Sequence, residues 1–319
     1  AVPSAAADIV MGDNGEFNWD SAGRLTLFAT TQLDKGGADI VYVGAGANIV
    51  VGGFGADVIN TGADVDVILG DNGQVTYTPG TTLYLQAKTT DVLNTTGGND
   101  TITAAGGDNL ILGGMGADSV TTSAGADLVM GDNGEFNWNS SGALTGFLTT
   151  EEDKGGDDTL SLDEGNNIVV GGFGKDGITT GAGTDVIVGD NGTVTYDITT
   201  GVMTQMKTND TVAANGDVDT INAGDGSDRI LAGMGADAVT ADPVAGTGDD
   251  TVMGDNGEFN WDTSGRLTLF KTAVLAEGGA DTINAADGAN IVVGGVGADL
   301  ITVGSGADTV LGDNGQVDY

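Results

Sequence analysis

The chain has 319 residues, 47 of them acidic and 9 basic, and its net charge of −38 repels nucleic acid and anionic membranes while suiting cations. The absence of cysteine and histidine excludes disulfides and thiolate metal sites and removes the commonest general base. No stretch approaches the ~18 apolar residues of a membrane-spanning helix, and the opening AVPSAAAD has neither the basic start nor the apolar run of a secretory leader.

The predicted elements come in chain order as a repeat. Asp8 precedes a short aliphatic strand at Ile9 to Met11, and GDNGEFNW follows from Gly12, then a polar turn over Asp20-Ser21-Ala22-Gly23 and a strand at RLTLF. Asp39, Asn48, Asp57 and Asp66 stand nine residues apart, and GDNGQVTY begins at Gly70. The block recurs as Asp100, Asn109, Asp118, Asp127, then as Asp158, Asn167, Asp176, Asp185. It returns as Asp219, Asp228, Asp237 and, after the insertion DPVAG, Asp250, and finally as Asp281, Asn290, Asp299, Asp308. GDNG starts at 12, 70, 131, 189, 254 and 312, with EFNW and Q/T-V-T/D-Y versions alternating. Val, Ile or Leu lies two residues beyond every one of the 21 Asx positions.

Glycine permits the tight curvature of a turn and the β-branched residues suit a short strand. Nine residues then make one turn and one strand, and two such units close one coil of a flattened solenoid. The expectation is an all-β, elongated parallel β-roll or β-solenoid, with residues 1–319 forming one continuous array with periodic longer inserts. Successive coils stack at roughly 4.8 Å. Asp39 lies one coil below Asp57 and Asn48 one coil below Asp66, giving two ladders of Asx turns around an aliphatic interior.

The GDNG segments fit the same grid as a fifth nonapeptide with RLTLF as a sixth strand. That predicts about 32 strands in about 16 coils and a rod of roughly 75 Å. Asp13, Asp71, Asp132, Asp190, Asp255 and Asp313 of GDNG are either parts of tight turns with positive φ or additional metal ligands. Trp19, Trp138 and Trp261 are core or cover residues, or a sugar platform. The even strands, such as NIVVG and DVILG, are apolar on both faces. Either the chain's own inserts, such as TTLYLQAKTTDVLNTT, cover that side, or it is a surface for another copy or a neighbouring domain.

Stacked carboxylates need a cation between them, and hard oxygen ligands without nitrogen or sulfur select calcium. GGFGADVIN from Gly52 to Asn60, with GGMGADSVT and GGVGADLIT, resembles the GGxGxDxUx nonapeptide of RTX, or haemolysin-type, calcium-binding repeats. The resemblance implies a parallel β-roll in which the sixth-position residue and turn carbonyls bind calcium between coils. Those positions are Asp8, Asp39, Asn48, Asp57, Asp66, Asp100, Asn109, Asp118, Asp127, Asp158, Asn167, Asp176, Asp185, Asp219, Asp228, Asp237, Asp250, Asp281, Asn290, Asp299 and Asp308. Two sites in each of five blocks give at least about ten ions. Asn48, Asn109, Asn167 and Asn290 supply neutral oxygens, so weaker sites are expected there.

The resemblance further implies a bacterial, extracellular setting and type I secretion. The first function expected is a calcium-stiffened structural module of a surface protein, such as an adhesin extender or S-layer unit. The alternatives are the calcium-dependent tail of a secreted enzyme or toxin, and a ligand- or ice-binding solenoid using the Thr/Asn rows of the odd strands. No catalytic constellation is visible, so no enzymatic activity is expected. The chain begins and ends inside a repeat unit, which fits a segment of a larger array or a protomer that stacks end to end.

Overall fold

The computed structural model describes residues 6–212, 215–243, 247–274 and 276–319; Val244 to Gly246 of the DPVAG insertion lie outside them. The described residues form strands and turns without a helix, and so no helix long and apolar enough to cross a membrane. The strands fall into three sheets, two parallel ones of eleven and ten strands and an antiparallel one of eleven.

The nonapeptide strands build the two parallel sheets. Even strands, such as Ile49–Val51 and Val67–Leu69, pair in register through the eleven-stranded sheet. Odd strands, such as Val58–Thr61 and Thr101–Ala104, pair through the ten-stranded sheet. The aliphatic residue two places after each Asx is the inward-facing centre of its strand. Val50, Ile68 and Ile111 meet Val41, Ile59 and Ile102 in one continuous core between the sheets. Each such side chain contributes about 1.5–3 kcal/mol by burial. Only Val310, at the last even strand, is strongly exposed among these inward positions.

The third sheet departs from the sequence reading. GDNG and the segment after it do not form further coils. Gly15–Trp19 and Leu25–Thr30 make an antiparallel hairpin, and Gly73–Tyr77 with Tyr84–Thr89 makes the next. Asp20 closes the first turn, its Oδ1 accepting from Ala22 N–H at 2.8 Å. Alternating apolar side chains explain the misreading: Phe17 and Trp19 suit any strand, and a period of two does not distinguish a coil from a hairpin. The roll therefore holds 21 strands and about ten coils, and the array is about 50 Å long rather than 75 Å.

The hairpin sheet lies on the outer face of the even strands. Val51, Leu69, Leu112 and Val188 pack under Phe28, Val75, Phe136 and Val194, all buried. The apolar face is thus covered by the chain's own hairpins rather than left open to a partner. Phe17–Phe28, Val75–Ala87, Phe136–Phe147, Val194–Met206 and Phe259–Phe270 are successive cross-strand pairs, so bulky and smaller pairs alternate along the array. Trp261 is buried, and Trp138 packs against the same core, as cover. Trp19, in the first hairpin, is 55% exposed.

Candidate metal-binding ladders

The hairpins enter the roll at a definite place. Gly52-Gly53-Phe54-Gly55-Ala56-Asp57 is an uninterrupted turn, with Gly53 and Gly55 at φ 111° and 112°, where a side chain would be strained. Every second turn on that edge is the same structure cut open. Gly70 and Asp71 begin it, residues 72–96 leave as a hairpin, and Gly97-Gly98-Asn99-Asp100 completes it. A methyl on Gly52 would strike Asp57 Oδ2 and Gly70 O, and one on Gly70 would strike Asp100 Oδ2 and Gly113 O. Gly12 with Asp39, Gly131 with Asp158, Gly189 with Asp219 and Gly254 with Asp281 repeat the relation. The sequence reading missed this because the two halves of the nonapeptide lie more than twenty residues apart.

The turns on this edge stack into one ladder of aspartates. The N–H of Asp39 donates to Asp57 Oδ1 at 2.6 Å, Asp57 to Asp100 at 2.7 Å and Asp100 to Asp118 at 2.7 Å. The chain of contacts continues through Asp158, Asp176, Asp219, Asp237 and Asp281 to Asp299. The other edge carries Asp8, Asn48, Asp66, Asn109, Asp127, Asn167, Asp185, Asp228, Asp250, Asn290 and Asp308 in the same linkage. All 21 predicted positions therefore stand in two rows.

On the all-acid edge, Oδ1 is used and Oδ2 is left over. Asp57, Asp100, Asp118, Asp158, Asp176, Asp219, Asp237, Asp281 and Asp299 each bury an Oδ2 without a hydrogen-bond partner. A buried unpaired carboxylate oxygen costs several kcal/mol unless a cation or proton meets it. Burial, above all, pushes the carboxyl groups up, Asp57 and Asp281 to about 7, Asp118 to about 8, Asp100 and Asp237 to about 9. Neighbouring carboxylates add to the shift at Asp100 and Asp237.

The asparagines supply an internal comparison. In Asn48, Asn109, Asn167 and Asn290 the atom matching the orphaned Oδ2 is Nδ2, and it donates to a turn carbonyl four residues earlier. The acceptors are Gly44, Ala105, Asp163 and Ala286, at 3.0, 3.1, 3.1 and 3.3 Å. The position thus faces carbonyl oxygens and suits a donor. A carboxylate there opposes oxygen with oxygen, which a hard divalent cation resolves. Among the described residues no three acid side chains gather closely enough to hold a metal by themselves. The donor set is instead one carboxylate per turn and the backbone carbonyls beside it, and the glycine at the turn's start leaves room for it.

The GDNG aspartates accept backbone hydrogen bonds that link turn to turn. Asp71 accepts from Gly98 N–H of its own turn at 3.0 Å and Met115 N–H of the next at 2.5 Å. Asp132 accepts from Gly156 and Phe173 at 3.1 and 2.6 Å, and Asp255 from Gly279 and Val296. Asp13 accepts from Phe54 at 2.7 Å. Asp190 holds Met234 N–H through Oδ2, and its Oδ1 is unpartnered. Each fastens an interrupted turn to the next coil. Asp313, in the last GDNG, is exposed. None of the GDNG glycines has positive φ. Gly73 is required because a methyl there would strike Leu69 and the carbonyl of Lys88, where hairpin and roll cross.

Sequence reasoning passed over three buried carboxylates outside the nonapeptides, Asp91, Asp210 and Asp242. Asp91 binds Asn72 and Asp210 binds Asn191, both nineteen residues after the GDNG asparagine, a spacing that could have revealed them.

A family model, the RTX calcium-binding nonapeptide repeat (4 copies), matches residues 35–68, 42–76, 89–120, 106–135, 153–178, 163–195, 207–239 and 284–316, together more than half of the chain. A search of curated proteins finds no match.

Proposed function

The chain belongs to the RTX calcium-binding nonapeptide repeat family, and from that premise we propose that it is a rigid structural module of a bacterial surface protein, an extender or assembly unit without catalytic activity. RTX repeats are calcium-binding structural repeats typical of secreted bacterial proteins. The observation that carries the proposal is the unbroken ladder from Asp39 to Asp299, whose buried Oδ2 atoms lack partners at nine of its ten aspartates. Bound calcium supplies the positive charge and oxygen coordination that such a row lacks. The chain's own residues do the rest. Oδ1 of each aspartate holds the N–H of the preceding turn, the turn glycines leave the space open, and the GDNG aspartates fasten the covering hairpins to the roll.

The three sheets rise in step, so the module is a stiff three-layer bar. Thr101, Thr103 and Thr121 lie on its one uncovered sheet face, but Gly177, Ala238 and Leu300 interrupt the rows, which favours a spacer over a lattice-matching ligand surface. Far-ultraviolet circular dichroism of the chain in chelator and in millimolar calcium tests the reading. A largely disordered chain that becomes β-rich on calcium addition is expected. Equal β content in both would defeat it.

A further inference from the structure

The hairpin cover leaves a gap that a later repeat fills. A cavity of about 310 Å³ lies between the middle sheet and the hairpins, on the edge that carries the asparagines. Tyr84, Trp138 and Leu144 wall it from the hairpins, Leu110 and Leu128 from the roll, and the exposed Asp108 lines it as well. The rings of Tyr84 and Trp138 are 5.6 Å apart, and Tyr77 continues the row 5.4 Å from Tyr84.

The repeat supplies an internal comparison. GDNG at 70 and at 189 begin equivalent units, so Arg229 is the counterpart of Leu110. Leu110 pairs between Val67 and Leu128, and Arg229 between Val186 and Thr251. GDNGEFNW at 131 and at 254 makes Trp261 the counterpart of Trp138. Arg229 Cζ lies 5.3 Å from the centre of the Trp261 ring. Trp261 is buried beneath it, while Trp138 is half-buried. A guanidinium is attracted to an indole face and stacks flat on it. The later repeat thus brings its own cation to a place that the earlier one leaves open.

The residues around the cavity agree. Asp108-Asn109-Leu110 carries one negative charge, and Ser227-Asp228-Arg229 carries none net. The hairpin turns differ in the same sense. DSAGR and DTSGR place Arg24 and Arg266 before Leu25 and Leu267, whereas NSSGA places Ala143 before Leu144. Neither the strand nor the hairpin turn therefore brings a cation to Trp138 and Asp108.

We propose that the cavity between Tyr84 and Trp138 receives an arginine side chain of a partner protein, its guanidinium stacked on Trp138 with Asp108 as counter-charge. The chain's net charge of −38 draws a basic partner towards it. Arg229 on Trp261 is the same contact made within the chain.

The test uses the full chain in millimolar calcium and physiological salt, titrated with acetyl-Gly-Arg-Gly-amide and followed by tryptophan fluorescence. Its citrulline twin has the same shape without the charge and should bind about tenfold more weakly. Leu110→Arg installs the residue of the later repeat, so it should keep the circular dichroism of the wild type and lose the binding. Asp108→Asn, at an exposed position, should fold and weaken the arginine peptide several-fold. A wild type that binds neither peptide, equal binding of the two, or an affinity unaltered in both variants would overturn the proposal.

Discussion

Asp100 Oδ2 occupies the space that a β-carbon on Gly70, thirty residues earlier, would need, in the relation that Asp57 Oδ2 has to Gly52, five residues earlier. The two glycines open the same pocket, one in a continuous turn and one in a turn divided by a hairpin. Gly113→Ala should therefore crowd Asp118 Oδ2 and Gly131 O, at a cost of about 1–3 kcal/mol. It should also raise the calcium concentration at half-folding. Ala232 already occupies the equivalent place before Asp237. Ala232→Gly should lower the midpoint. If neither variant moves the midpoint of a calcium titration, the pocket is not where the ladder meets its cation.

The covered apolar face gives a second test. Val51 and Leu69 are both 0% exposed beneath the hairpin sheet. Val51→Lys with Leu69→Lys would bury two unpaired charges, each costing on the order of 3–5 kcal/mol. The expected outcome is a monomer that melts far earlier or does not fold in calcium. A stable double variant that merely loses oligomers in sedimentation would mean that the face serves a partner and that the hairpins do not cover it.

Asp71 fastens two coils, so its removal should be felt at a distance in sequence. Asp71→Ala leaves Met115 N–H and Gly98 N–H without their acceptor, and hydrogen bonds to a charged group contribute about 1.5–3 kcal/mol each. Hydrogen exchange in calcium should speed up at Met115 and Gly98 while the amides of Val67–Leu69, in the middle sheet, keep their protection. Unaltered exchange at Met115 would show that the fastening is made by other contacts.

These tests separate what the sequence made legible from what it did not. The inward row from Val41 to Val292 and the stacking of Asp39 under Asp57 could be read directly, because each nonapeptide is a local unit and its strand follows its own turn. The place of Gly70 could not, since its partner Asp100 follows a complete hairpin. The cover was half legible. Ile49 and Val51 announced an apolar outer face, and Phe28 and Val75 announced strands of period two. Pairing the two requires knowing that the insert folds back over the roll, a non-local event that no window of the sequence encodes. By sequence the asparagines are expected to be weak ligands, whereas in the structure the amides of Asn48 and Asn109 donate to Gly44 and Ala105.

The arrangement also fixes the size. About ten coils at roughly 4.8 Å give a bar about 50 Å long, with three layers about 10 Å apart. Small-angle scattering of the calcium-loaded monomer should return a maximum dimension near that length, increased by side chains and the hydration layer. A distance distribution extending to 75 Å or beyond would restore the reading in which the hairpin strands are coils.

The last prediction concerns protons, which compete with calcium for the same oxygens. Burial raises Asp57, Asp281 and Asp250 to about 7, Asp118 and Asp228 to about 8, and Asp100 and Asp237 to about 9. In the unfolded chain an aspartate titrates near 3.9. The folded chain without metal therefore binds more protons than the unfolded one between about pH 4 and 9, and its stability falls as pH rises through that window. The contribution of these groups is fully present below about pH 4 and lost as pH passes their folded values. In chelator, then, lowering the pH from about 8 to about 5 should recover β structure that neutral pH removes. In calcium the dependence reverses, because the ion binds the deprotonated carboxylate and proton release accompanies binding. Circular dichroism across pH, with and without chelator, should give two curves of opposite slope. A chelator curve that is flat, or that loses β structure on acidification, would mean that the buried Oδ2 atoms of the ladder are not what holds the metal-free chain apart.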